Sequence, residues 1–241
     1  MTKHPVRTTI IATVVLLLFF TAQGAAVVMG NLEGLKAIAV QAPIIWGCAL
    51  AAILFYLIKY RNLKGLGFNR PESGSAKMFL YYIPLIVVAL SAFAGGLMLN
   101  QKELFIPNLI FTLGIGFAEE VYFRGIICNA WKEKEKTAII VSAVLFGLCH
   151  ILNVMGGAEI TATLLQIVFA FVYGIIMAYV ILRTKSIWPC ILLHAFHDFC
   201  GFISNEGDGK LTIIVGAFQF VVLLAYCIYI ARTDKKKGSA E

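Results

Sequence analysis

Residues 118–125 read Ala-Glu-Glu-Val-Tyr-Phe-Arg-Gly, two adjacent carboxylates and a guanidinium inside an apolar run. Two further clusters carry proton-transferring groups. His150 closes Phe-Gly-Leu-Cys-His (146–150), and His-Ala-Phe-His-Asp (194–198) supplies two imidazoles and a third carboxylate. Carboxylates and imidazoles set together can take up a proton near neutral pH and hold developing negative charge, the elements of general acid–base chemistry. On a helix Glu120 and Arg124 share a face at i, i+4, whereas Glu119 is turned about 100° from Glu120. Arg124 therefore pairs with Glu120 and leaves Glu119 without a partner of its own, which suits a general base. His194 and Asp198 are likewise i, i+4 neighbours, and His197 follows His194 by three. No Ser-His-Asp nucleophile arrangement is visible. None of the six cysteines belongs to a CxxC pair, so they read as small buried hydrophobes.

The elements that hold these groups are set by composition. Sixty per cent of the 241 residues are hydrophobic and 14% are charged, where a soluble domain carries about 25% charged. The expected fold is all-α, a polytopic transmembrane bundle of about eight spanning helices. The spans are Thr8–Met29, Ala37–Ile58, Met78–Leu99, Phe105–Trp131, Thr137–Asn153, Ile160–Leu182, Ile187–Ser204 and Leu211–Ala231. No connection is long enough for a soluble domain, so residues 1–241 read as one integral membrane domain with the catalytic core on helices within 105–204. The first apolar run is longer than the core of a signal peptide and reads as a retained span. The longest polar connection, KYRNLKGLGFNRPESGSAK, reads as an ordinary cytoplasmic loop, with a partly helical segment lying on the surface as the alternative.

Charge asymmetry orients the bundle. With a cytoplasmic N-terminus and eight spans, sixteen basic residues fall on the cytoplasmic side, among them Lys3, Lys64, Lys77, Arg183 and Lys235–Lys237. Only Lys36, Lys102 and Lys210 fall opposite. The positive-inside rule then places both termini in the cytoplasm. The net charge of +7 needs no nucleic-acid partner, and the Lys-rich tail suits lipid headgroups. A compact chain of this kind fits a bacterial inner membrane.

Ionisable groups inside spans are few, and each costs about 2.5–3.5 kcal/mol at the bilayer centre, so they are functional candidates by default. At 1.5 Å per residue, Glu119, His150, His194 and Asp198 lie between about 11 and 20 Å from the cytoplasmic ends of their helices. Three separate spans thus bring polar groups to one level.

The ordered set EExxxR (Glu119–Arg124), FxxxH (Phe146–His150) and HxxxD (His194–Asp198) resembles the CAAX prenyl protease and bacteriocin-processing (CPBP, Abi) family of intramembrane endopeptidases. The resemblance covers the middle third of the chain. It implies hydrolysis of a peptide bond in a membrane-associated peptide or protein, either a prenylated protein or a leader peptide. Carried over, Glu119 and His150 activate a water, His194 and Asp198 stabilise the oxyanion, and Glu120 and Arg124 support the site. The family form has Asn where this chain has Asp198. An ionised Asp cannot donate, so Asp198 either is protonated or accepts from His194 and fixes its tautomer; the i, i+4 spacing favours the second. His197 reads as an interior histidine with a catalytic role as the alternative. No cofactor is required. The nearest rival is a zinc protease with Glu119, His150 and His194 as ligands, although no HExxH is present. A proton-coupled transporter or a non-enzymatic immunity protein is the other alternative, and the internal repeats usual in transporters are not visible.

Overall fold

The computed structural model describes residues 4–72, 75–205 and 207–238, with the side chains of 75–81 and 234–238 outside the description. Lys3 and the side chains of Lys77 and Lys235–Lys237, counted in the charge asymmetry, therefore lie outside the described residues. The described chain is a bundle of helices with no β-strand, as the composition requires. In order these are α1 (Pro5–Gly30), α2 (Gly34–Tyr60), α3 (Ser75–Leu90), α4 (Phe105–Glu120), α5 (Glu135–Cys149), the single turn α6 (Leu152–Met155), α7 (Ile160–Thr184), α8 (Trp188–Phe202) and α9 (Gly209–Gly238). Each expected span falls on one of these helices, with α4 counted in the continuous stretch Leu99–Cys128 and α5 together with α6 in Glu135–Met155. Among the described residues, however, six rather than eight are long and apolar enough to cross a bilayer. The third and seventh fall short: α3 has 16 residues and α8 has 15.

The third helix ends early because its chain must turn. After Leu90 the backbone tightens into a 3-10 segment, Ser91–Gly95, and Gly96 takes φ +90°. A Cβ on Gly95 would stand 2.5 Å from the Asn205 carbonyl oxygen. Met98 N–H and Asn205 N–H then donate across this turn to Ile203 O and Gly96 O, tying the end of α3 to the end of α8.

The helices stop where local chemistry stops them. Asn31, Arg61 and Lys185 cap α1, α2 and α7 in the left-handed region, each donating its N–H back to a carbonyl of the last turn. Glu159 caps the start of α7 by accepting from Thr161 N–H at 2.9 Å and Ala162 N–H at 2.7 Å. Those backbone donors hold its carboxyl below the ordinary carboxylate range.

Layering follows burial. Half of the most apolar stretch of α4 and of α7 is buried, against 11% for α1 and 17% for α9. α4 and α7 are therefore the interior helices, while α1 and α9 present exposed Leu18, Ile213 and Val221, the surface a lipid solvent accepts. α4 packs on α2 and α8, and α5 packs on α7.

The connections sort by end. Trp131 donates to Thr9 Oγ1 at 2.9 Å, Gly125 lies against Leu66 and Ile187, and Arg183 reaches Ile230 O at 3.3 Å. The start of α1 and the ends of α2, α4, α7 and α9 thus share one end of the bundle, the end carrying Arg61, Lys64, Lys132 and Lys185. The long polar connection is partly helical, the alternative to an ordinary loop, and it is packed down rather than lying free on the surface. It forms a 3-10 turn at Lys64–Leu66 and buries Leu66 completely. Ile187 N–H donates to Gly67 O at 2.7 Å, and Asn69 Nδ2 donates to Lys185 O at 3.0 Å, so the loop is docked on the α7–α8 turn.

Glycine allows the helices that matter most to approach. A Cβ on Gly116 would stand 2.9 Å from Ile191 O on α8, and one on Gly147 would stand 2.9 Å from Ile167 O on α7. Those neighbours are backbone and cannot rotate away. Gly116→Ala is expected to push α4 off α8, destabilising the detergent-solubilised protein by about 1–3 kcal/mol. Thermal unfolding checks this, and an unchanged midpoint would contradict the close crossing.

Candidate active site

The ionisable clusters meet in the interior. α4 continues past Glu120 as a wider π-helix, Val121–Cys128, and over this stretch Phe123, Arg124 and Ile127 are fully buried. Such widened turns inside helices are frequent at functional sites. Neither Glu120 nor Arg124 has any exposed side-chain surface, and Glu120 Oε2 lies 3.2 Å from Arg124 Nε. This is a contact of charge without hydrogen-bond alignment. The guanidinium also sits 4.3 Å above the Phe146 ring and donates weakly to Gly174 O at 3.5 Å. The pairing expected from the i, i+4 spacing is present, and Glu119 is left outside it.

His194 is the hub. Its Nδ1 is 2.8 Å from Glu120 Oε1, a hydrogen bond made to the carboxylate that Arg124 neutralises. Its Nε2 lies 3.7 Å from Glu119 Oε2 and 3.5 Å from Asp198 Oδ2. This corrects the expectation for Asp198. The short bond that selects the tautomer and aims the ring comes from Glu120 on α4, because that oxygen reaches Nδ1 squarely while Asp198 stands beside Nε2 at ion-pair range. Glu119 keeps no hydrogen bond on Oε2 among the described residues. The edge of His194 that faces Glu119 is therefore held from behind.

His150 arrives from α5. Its Nδ1 is 3.0 Å from Phe146 O. A carbonyl only accepts, so Nδ1 carries the proton in this bond and Nε2 is left with its lone pair. Phe146 organises the cluster. His150 and His194 stand edge-to-face with its ring at 5.3 and 5.6 Å, while Arg124 covers it.

Glu119, His150, His194 and Asp198 all line a cavity of about 640 Å³. His197 does not line it. Its ring stacks on Phe169 at 5.5 Å and lies 5.6 Å from Tyr173, an interior position. Cys149 also borders the cavity, and all six cysteines are free thiols. Among the described residues no three His, Cys, Asp or Glu side chains are arranged to hold a metal ion. The set Glu119, His150 and His194 forms no such group.

Ionisable residues alone did not reveal every lining group. Gln23 on α1, Gln41 on α2, Asn153 on α6 and Gln166 on α7 also line the cavity, and Asn153 Nδ2 donates to Gln166 Oε1 at 2.8 Å. Amides within otherwise apolar spans were the available signal. Tyr173 on α7, 6.0 Å from the His194 ring, carried no signal in the sequence.

Residues 101–200 match a family model described as Rce1-like, type II CAAX prenyl endopeptidase. No curated protein matches the chain. The matched stretch contains Glu119, Glu120, Arg124, His150, His194, His197 and Asp198, so the helices that build the site are the part of the chain similar to the Rce1-like type II CAAX prenyl endopeptidases.

Proposed function

We propose that this protein is an intramembrane endopeptidase in which side chains, without a metal, activate the water. The observation that carries this reading is the facing pair of Glu119 Oε2 and His194 Nε2, 3.7 Å apart on the wall of a cavity, with the compensating charge of Arg124 sealed behind them. The family match to residues 101–200 supports a peptidase of CAAX type acting on a peptide or protein in the membrane. Both termini are proposed to be cytoplasmic, from the basic residues gathered at one end of the bundle.

Glu119 takes a proton from a water whose oxygen attacks the scissile carbonyl carbon, with His150 Nε2 as a second acceptor for that water. The negative charge then lies on the carbonyl oxygen. His194, when imidazolium, donates from both nitrogens: Nδ1 to Glu120 and Nε2 to that oxygen. As the C–N bond breaks, Glu119 returns the proton to the leaving nitrogen, giving a carboxylic acid and an amine. Asp198 lies beside Nε2 and favours the charged imidazole while that bond is made.

Glu119→Gln keeps the size of the side chain and removes the base, so peptide cleavage is expected to fall by about 10²–10⁴-fold with membrane insertion intact. Comparative peptidomics of cells expressing wild type and the variant reads this. Identical peptide profiles, with a change in ligand uptake instead, would favour the transporter alternative.

Asp198→Asn is expected to retain activity within about tenfold, since Glu120 rather than Asp198 aims His194 and an Asn amide can itself donate to the oxyanion. Turnover measured on the membrane-inserted variant checks this, and collapse would give Asp198 a direct role. Purified protein stripped of metal is expected to cleave unchanged in the presence of a chelator. Loss of cleavage that zinc restores would instead assign Glu119, His150 and His194 to a metal.

A further inference from the structure

One polar group on the cavity wall has no part in the chemistry above. Gln23 lies in the apolar helix α1, outside the matched residues 101–200, yet it lines the same cavity as Glu119, His150 and His194. Its Oε1 is shielded from solvent and has no hydrogen-bond partner among the described residues. Asn153 and Gln166, by contrast, satisfy each other across the wall at 2.8 Å. A shielded, unpaired amide oxygen costs about 1–3 kcal/mol and calls for a partner.

The level at which Gln23 stands follows from one contact near the start of α1. Trp131 Nε1 donates to Thr9 Oγ1 at 2.9 Å, which sets those two residues side by side. From that contact Glu119 lies 12 residues back along the chain and Gln23 lies 14 residues on. At 1.5 Å per residue these runs are about 18 and 21 Å. Both lead to the one cavity, so Gln23 and Glu119 line it within about one helical turn of the same level. Beside Gln23 the wall borders open space, because a Cβ added at Gly24 would meet nothing within 4 Å. A peptide bond held for attack at Glu119 thus has room to run past α1. An extended peptide carries an N–H and a C=O at every residue, and each one that enters must exchange its water for a protein partner.

Resting on the proteolytic reading above, we propose that Gln23 is a substrate-positioning residue whose Oε1 accepts a main-chain N–H of the bound peptide. One helical turn of depth corresponds to about two residues of extended chain, so this N–H lies within about two residues of the scissile bond. The contact is to main chain and reads no side chain. It holds the peptide in register, with the scissile carbonyl presented to the water at Glu119 and to His194 Nε2.

Paired changes in protein and peptide test this. The probe is a peptide that the full-length protein cuts in proteoliposomes in a Glu119-dependent manner, drawn from the fragments lost in Glu119→Gln cells. It is resynthesised with a single ester replacing each non-scissile amide near the cut, which deletes one N–H at a time. At one position within about two residues of the cut, the ester is expected to lower kcat/KM about three- to tenfold with the wild-type protein. The same ester is expected to cost nothing with Gln23→Met, whose kcat/KM on the all-amide peptide is already lower by that factor. Gln23→Leu gives the same reading should Gln23→Met fail to fold. A merely structural role would lower every rate and leave the ester losses equal in wild type and variant, and that result overturns the proposal. Undiminished cleavage of the all-amide peptide by Gln23→Met overturns it as well. Absence of any Glu119-dependent cleavage would instead remove the proteolytic reading, and the positioning role with it.

Discussion

A full positive charge with no exposure stands at the centre of this bundle, and the site is built around its neutralisation. Burying an ion costs several kcal/mol even after the protein relaxes, so Arg124 is tolerable only with a carboxylate at hand. Glu120 supplies it from one turn earlier at 3.2 Å, and the Phe146 ring shields the guanidinium's face. Glu120 has a second oxygen, and that oxygen takes His194 Nδ1 at 2.8 Å. One ion pair within α4 thereby orients an imidazole on α8. Everything that faces the cavity, including the distance between Glu119 and His194 Nε2, depends on this arrangement behind it.

The packing that permits it relies on small residues and one aromatic. Hydrophobic collapse cannot drive helices together in lipid, because the tails are as apolar as the side chains. Close contact must come from surfaces that fit. Gly116 brings α4 against the α8 backbone, and Gly147 brings α5 against α7. Phe146 then lies between three helices, touching Arg124 from α4, His194 from α8 and its own helix's His150. The ring supplies no proton and holds no charge; it fixes where the charged groups can stand. The widened Val121–Cys128 segment belongs to the same economy of space, since its side chains are turned almost entirely inward.

Burying the ion pair behind the cavity has a chemical consequence. The cavity leads to Glu119 past amides and apolar side chains, and the ion pair beyond it is fully buried. A low-dielectric surrounding strengthens each electrostatic contact within the cluster. The polar connection between α2 and α3 contributes directly, because its Leu66 and the hydrogen bonds of Gly67 and Asn69 close the side from which Arg124 would otherwise meet solvent.

Much of this was legible in the residues alone. Apolar runs located the helices, since a backbone in lipid must satisfy its own hydrogen bonds, and helix geometry paired Glu120 with Arg124 while separating Glu119. Both are local properties, decided within a few residues of chain. The early end of α3 at Leu90 was not local: it depends on Gly95 meeting Asn205, more than a hundred positions away. Nor was the orienting role of Glu120 towards His194, because i, i+4 spacing could only propose partners on the same helix and Asp198 was the one available. The docking of the polar loop and the amide wall were also decided by tertiary structure. Sequence determines which groups a helix must bury and at what depth they lie; which face of a neighbouring helix receives them is a property of packing, and packing is where this site acquires its direction.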